Sequence, residues 1–196
     1  MKFTNTIFLT FILILCSIFA KSQDKNIFEN KYLIVLDIQE YYTNSKLPDI
    51  STQEVVDSVN YVINKMNSTN VIYIKRIHKV LNISFSSPFI YTSLDTSAMR
   101  FDKRLNLVNK NIFTREKPNV FSLKELIDFL KQNNAKEIII IGFLAEEFLY
   151  QSVIKGEELG YIMYVIPEAI IGKSQKGKDK VMKKLIKKGI RILDIK

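Results

Sequence analysis

The sequence predicts an α/β fold: a doubly wound, mainly parallel six-stranded sheet with helices on both faces, a Rossmann-like arrangement. Short runs of consecutive apolar residues, without polar alternation, read as strands buried on both sides. Between them lie longer segments whose apolar residues recur every three or four positions, as on the inner face of a helix. Size and composition agree, since 196 residues at 47% hydrophobic and 25% charged suit one globular domain, neither disordered nor fibrous.

Lys31–Leu36 (KYLIVL) is the first strand and ends at Asp37. Ser51 is placed to cap a helix, with Glu54 at capping-box spacing and Val55, Val56, Val59, Val62, Ile63 and Met66 as its apolar stripe. Asn70–Ile77 (NVIYIKRI) is the second strand. From His78 to Lys110 periodicity is lost, and polar residues mix with aromatics as in a long functional or flexible segment. Asn111–Arg115 is a short third strand, followed by a helix over Ser122–Gln132 with Leu123, Leu126, Ile127 and Leu130 facing inward. Glu137–Ile141 (EIIII) is the strongest strand and is closed by Gly142. A helix from Glu146 to Leu159 stops at Gly160, and the strand Tyr161–Ile166 follows. The last helix, Gly177–Lys188, turns Val181, Met182, Leu185 and Ile186 inward and stops at Gly189 before a sixth strand, Ile190–Ile195.

Residues 1–22 stand apart from this domain, which occupies 23–196. Lys2 precedes an almost unbroken apolar run from Ile7 to Phe19, and Ala20-Lys21-Ser22 offers small residues where a signal peptidase cuts. The run spans about 20 Å as a helix, short of the ~30 Å bilayer core. The expectation is a cleaved export signal with cutting near Ser22/Gln23 and a periplasmic or secreted product; an uncleaved N-terminal membrane anchor is the alternative. The only cysteine, Cys16, lies inside this segment, so the processed chain contains none. With one histidine, His78, the inventory excludes a disulfide framework and a multi-histidine or Cys/His metal centre. No cofactor is expected either, because Leu36-Asp37-Ile38-Gln39 has no glycine-rich phosphate loop after the first strand.

Ligands of such sheets bind beyond the carboxyl ends of the strands. That rule selects Asp37, Gln39, His78, Arg115, Lys117 and the turn beginning at Gly142. Asp37 reads either as part of a pocket, paired with Arg115 or Lys117, or as a capping aspartate bonded to nearby amides. His78 reads as a surface or loop-packing residue rather than a ligand. Glu146 and Glu147 point about 100° apart on a helix, so they cannot form one acid/base pair.

These residues, with Leu33–Gln39, Phe121 and Leu126, Gly142–Phe148 and Gly160-Tyr161, make the chain similar to the isochorismatase-like cysteine hydrolases, which include nicotinamidases. The resemblance implies an Asp as base, a Lys near the nucleophile and a Cys that attacks a carbonyl. It carries the Asp over to Asp37, the Lys position to Arg115 with Lys117 two residues on, and the Cys position to Phe148. A phenyl ring can neither attack nor transfer a proton, and Arg for Lys is not conservative at a tight site. The remnant site is therefore Asp37, Arg115 and Lys117, with Gln39, Leu144, Ala145 and Phe148 as ligand-binding positions. The amides of Ala145 and Phe148 stand where the resemblance implies an oxyanion hole.

The functional expectation is an exported hydrolase-fold pseudoenzyme that binds a small carbonyl, carboxylate or amide ligand, or a partner, and forms a homo-oligomer. One alternative keeps an amide or ester hydrolase in which Asp37 activates water. Another is an interaction protein whose basic stretch Lys173–Arg191, nine cations and Asp179, meets an anionic membrane or polymer surface. The stretch has no aromatic interleaving for base stacking, so nucleic acid is not an expected partner.

Overall fold

The structure is a computed structural model that describes residues 27–44 and 52–195. The expected export signal with Cys16, the anchor alternative and the Ser51 cap all lie outside the described residues. Among the described residues, no helix is long and apolar enough to cross a membrane.

The main sheet has six parallel strands. In chain order they are β1 (Lys31–Leu36), β2 (Val71–Arg76), β5 (Ile112–Arg115), β6 (Glu137–Phe143), β7 (Ile162–Ile171) and β8 (Arg191–Ile192). Their spatial order is β5-β2-β1-β6-β7-β8. The chain steps outward from β1 to β2 and β5, then returns to β6 on the other side of β1. This reversal places a crevice between the carboxyl ends of β1 and β6, the usual ligand position of an open α/β sheet.

The apolar runs form the core because they are covered on both faces: Leu33–Leu36, Val71–Ile74 and Ile138–Ile141 are all fully buried. Helix α2 (Thr52–Lys65) packs on β7 and β6 through Val55, Val56, Val59, Val62 and Ile63. Helices α3 (Lys124–Gln132), α4 (Tyr150–Glu158) and α5 (Gln175–Lys187) complete the layers, with Leu126, Leu130, Val153, Val181, Met182 and Leu185 buried. At the crevice, Gly142 lies opposite Leu36 with φ +114°, and a Cβ there would stand 2.1 Å from the Leu36 carbonyl oxygen. Glycine is required at that contact.

Several elements differ from the expectation. The 78–110 segment is not irregular throughout: β3 (Lys79–Ile83) and β4 (Ile90–Leu94) pair antiparallel as a separate ribbon. A four-residue helix, α1 (Glu40–Thr43), follows β1. The segment after β6 begins as a π turn, Ala145–Leu149, before α4. β7 runs five residues beyond Ile166, with a register shift against β6 between Ile140 and Gly142. The last strand shrinks to Arg191–Ile192. Ile186 is exposed rather than inward, because Val181, Met182 and Leu185 already cover the buried stripe of α5. Leu123 and Ile127 are only half-buried.

Candidate functional site

The crevice is occupied by charge. Asp37, the first residue past β1, is fully buried and takes a left-handed φ of 53°, which Asp tolerates better than most residues. Its amide donates to Ile74 O at 2.9 Å, and its Oδ2 accepts from Arg115 Nη2. Arg115 ends β5 two strands away and is also fully buried; its Nη1 donates to the carbonyl of Lys117 at 2.7 Å. Arg76 sits beside it in register on β2 and donates from Nη1 to the Tyr42 hydroxyl at 3.2 Å.

Two guanidiniums on neighbouring strands repel, and the site holds them through one carboxylate and one aromatic face. The Phe148 ring centre lies 4.3 Å from the Arg115 guanidinium carbon and 4.7 Å from that of Arg76. Cation–π contacts in a desolvated setting are worth about 2 kcal/mol each. Tyr42 packs edge-on against Phe148 and stacks on Phe143, while His78 lies against Tyr41 and Tyr42. Phe148 is nearly sealed from solvent, and Ser152 Oγ fixes its backbone by donating to the Phe148 carbonyl at 2.7 Å.

Burial pushes the Asp37 carboxyl up to about 6, against the pull of Arg115 and Arg76. Burial likewise raises Tyr42 and, with Arg76 nearby, lowers His78. Asp37 Oδ1, Arg115 Nε and His78 Nε2 are buried without a hydrogen-bond partner among the described residues. The folded Asp37 value lies above its ordinary 3.8. Its contribution to stability is therefore complete below about 3.8 and is lost as pH rises through about 6. Urea midpoints of the wild-type chain should fall more between pH 4 and pH 6 than those of Asp37→Asn; parallel slopes would contradict this titration.

The other expected site residues take distinct positions. Gln39 is fully buried, and its amide is used within the protein: Nε2 donates to Arg76 O (3.1 Å) and Ala98 O (2.9 Å), and Oε1 accepts from Arg76 N (2.6 Å). It joins the ends of β1 and β2 to the loop around Ala98. The Lys117 side chain is exposed, and this residue reaches the centre through its carbonyl. Leu144 and Ala145 are buried beside Phe148, whose amide donates to Leu144 O at 3.1 Å. Glu146 accepts from the Lys173 amide, and Glu147 pairs with the Lys173 ammonium at 2.5 Å. A cavity of about 370 Å³ opens beside Ala98, lined by Glu40, Tyr41, Asn44, Asp95, Ser97 and Arg100. No three His, Cys, Asp or Glu side chains gather as a metal site among the described residues.

Arg76, Tyr42 and Ser152 escape the sequence reading. Arg76 was within reach of it, since it ends β2 at the same sheet edge as Asp37; Tyr42 stands on the unexpected α1, and Ser152 one turn beyond Phe148 looks like any helix serine.

Residues 31–196 match the Isochorismatase domain. The chain belongs to that family. Among solved structures, the zinc-bound pyrazinamidase of Pyrococcus horikoshii superposes with a TM-score of 0.69 at 19% identity, covering 85% of this chain and 99% of that one. The nicotinamidase of Staphylococcus aureus gives 0.66 at 17% identity over 84% and 97%. The isochorismatase-family fold is thus shared at low identity. In sequence, the chain is 19% identical over 142 residues to the secreted isochorismatase effector Isc1 of Verticillium dahliae, covering 72% of this chain and 73% of Isc1.

Proposed function

We propose that this chain is an exported isochorismatase-family protein that has lost cysteine hydrolysis and acts by binding a small carbonyl, carboxylate or amide compound or a partner. One observation carries the reading: the Phe148 ring stands at the position that the resemblance gives to the nucleophile, packed 4.3 Å from the guanidinium that holds Asp37. An aromatic carbon offers no lone pair to a carbonyl, and the ring takes up the space an attacking group and its substrate would need. The Phe148 amide, which the resemblance offers to an oxyanion, donates to Leu144 O instead. Export is supported by the pattern of residues 1–22 and by the secretion named for Isc1.

Hydrolysis by Asp37-activated water draws no support from this packing, because Asp37 has no exposed surface and one oxygen engages Arg115. The alternative through the basic C-terminal helix rests on Lys180, Lys183, Lys184, Lys187 and Lys188, which are exposed as an ordinary solvated helix face also would be.

The purified full-length chain, assayed with nicotinamide and isochorismate, should show no turnover above buffer. Turnover that Asp37→Asn abolishes would overturn the proposal. A thermal-shift screen of small carboxylates and amides on the same protein should assign the ligand class.

A further inference from the structure

The Asp37 centre holds one more cation than its own carboxylate neutralises. Arg115 is fully buried and spends its charge on Asp37. Arg76, beside it in register, is half-buried and forms no ion pair among the described residues. Glu40, Asp95 and Glu116, on the segments that flank the centre, are committed elsewhere. Glu40 pairs with Arg100 and Glu116 with Lys79, while Asp95 Oδ1 accepts from the amides of Ser97 and Ala98 and from the Ser97 hydroxyl. His78 is lowered by burial and by Arg76, so it adds no charge at pH 7. Two guanidiniums against one carboxylate leave one positive charge over, and a partly desolvated charge without a counter-ion is costly.

Arg76 is held so that its remaining donors stay open. The buried Gln39 amide clamps its backbone on both sides, accepting from Arg76 N at 2.6 Å and donating to Arg76 O at 3.1 Å. Its guanidinium carbon lies 4.7 Å from the Phe148 ring centre, and Nη1 donates to the Tyr42 hydroxyl. These contacts use one of the five N–H donors of a guanidinium. Nε and Nη2 have no acceptor among the described residues and, unlike Arg115 Nε, are not sealed from solvent. Together they form the side edge of the guanidinium, where two parallel N–H bonds match the two oxygens of a carboxylate. A phosphate dianion brings a second charge, and the other guanidinium of the centre, Arg115, is already spent on Asp37. We infer that the Nε/Nη2 edge of Arg76 binds the carboxylate of a small organic acid, with Phe148 and Tyr42 holding the guanidinium in place. This rests on the reading of the Asp37 centre as a ligand-binding site and names the chemical class that the site takes.

His78 is the only histidine of the chain, and its ring centre lies 5.5 Å from that of Tyr42, so its imidazole proton signals report on this site. With the full-length chain at pH 7 and fixed ionic strength, acetate should shift those signals saturably and raise the melting temperature. Acetamide, of the same shape without the charge, should do neither. Arg76→Gln should weaken the acetate midpoint on the order of tenfold or more, and Arg76→Lys, which keeps the charge but not the two-pronged edge, should fall between. Lys187→Gln, which removes an exposed charge of α5, should leave the midpoint unchanged. Equal responses to acetate and acetamide would overturn the inference in favour of a site for neutral carbonyl compounds. Tighter binding of inorganic phosphate than of acetate would overturn it as well, as would an acetate response that Lys187→Gln weakens as much as Arg76→Gln. The comparison of acetate, acetamide and phosphate on the wild-type chain decides the matter even if Arg76→Gln does not fold. Absence of an acetate response overturns this inference alone, whereas turnover of nicotinamide or isochorismate overturns the reading beneath it.

Discussion

Arg115→Met should destabilise the protein by about 3–5 kcal/mol at pH 7, the range for removing one partner of a buried ion pair. Methionine roughly matches the arginine stem in length, so the loss is electrostatic more than volumetric. It leaves the Asp37 carboxylate without its Oδ2 partner and the Lys117 carbonyl without its 2.7 Å donor. Without Arg115, the largest influence pulling the Asp37 carboxyl down disappears, and burial drives it further above the value of about 6. Proton uptake then neutralises the stranded charge, so the deficit measured by urea denaturation should shrink from pH 7 to pH 5. Adding Asp37→Asn should recover part of the pH 7 loss, and the double-mutant cycle gives the coupling between the two side chains. A deficit below about 1 kcal/mol at both pH values would mean that the pair is not desolvated as described.

The sequence shows this centre unevenly, and the difference is physical. The strands that carry it are legible because Leu33–Leu36, Val71–Ile74 and Ile138–Ile141 are covered on both faces, so each of their residues must be apolar. The β3–β4 ribbon is illegible for the opposite reason: its apolar residues face solvent on both sides, and no buried face imposes alternation on KVLNI or IYTSL. Asp37 and Arg115 emerge from a rule of position, the carboxyl ends of parallel strands, which needs only the strand boundaries. Arg76 obeys the same rule, but its place beside Arg115 comes from strand register, and register joins residues far apart in the chain. Lys117 shows where the rule stops, since two residues past the strand end the chain has turned its side chain outward. The π turn at Ala145–Leu149 differs from an α-helix by one residue of hydrogen-bond spacing, which AEEFL does not encode. Phe148 is the residue whose identity mattered most and whose surroundings the sequence could not supply. A phenyl ring supplies no thiol of its own, but only the folded chain brings Arg76 and Arg115 over it.

That arrangement makes Phe148→Ala the sharpest test of what the ring does. Buried Phe→Ala changes cost about 3–5 kcal/mol through lost transfer energy and the cavity that remains. Here the cavity wall includes two guanidiniums that have lost their aromatic face, so the loss belongs at the upper end of that range. For a chain of this size each kcal/mol lowers the melting temperature by roughly 2–4 °C, giving a fall on the order of 10–20 °C. A ring-sized space next to cations should then accept a small aromatic molecule, as engineered apolar cavities accept benzene. Benzene should raise the melting temperature of Phe148→Ala in a concentration-dependent way and leave the wild-type chain unmoved, because its own phenyl fills the space. A loss below about 1.5 kcal/mol, or an equal effect of benzene on both proteins, would show that Phe148 does not plug the centre. If rescue occurs, the crevice between β1 and β6 keeps the shape of a ring-binding site, and Phe148 holds it in a self-occupied state.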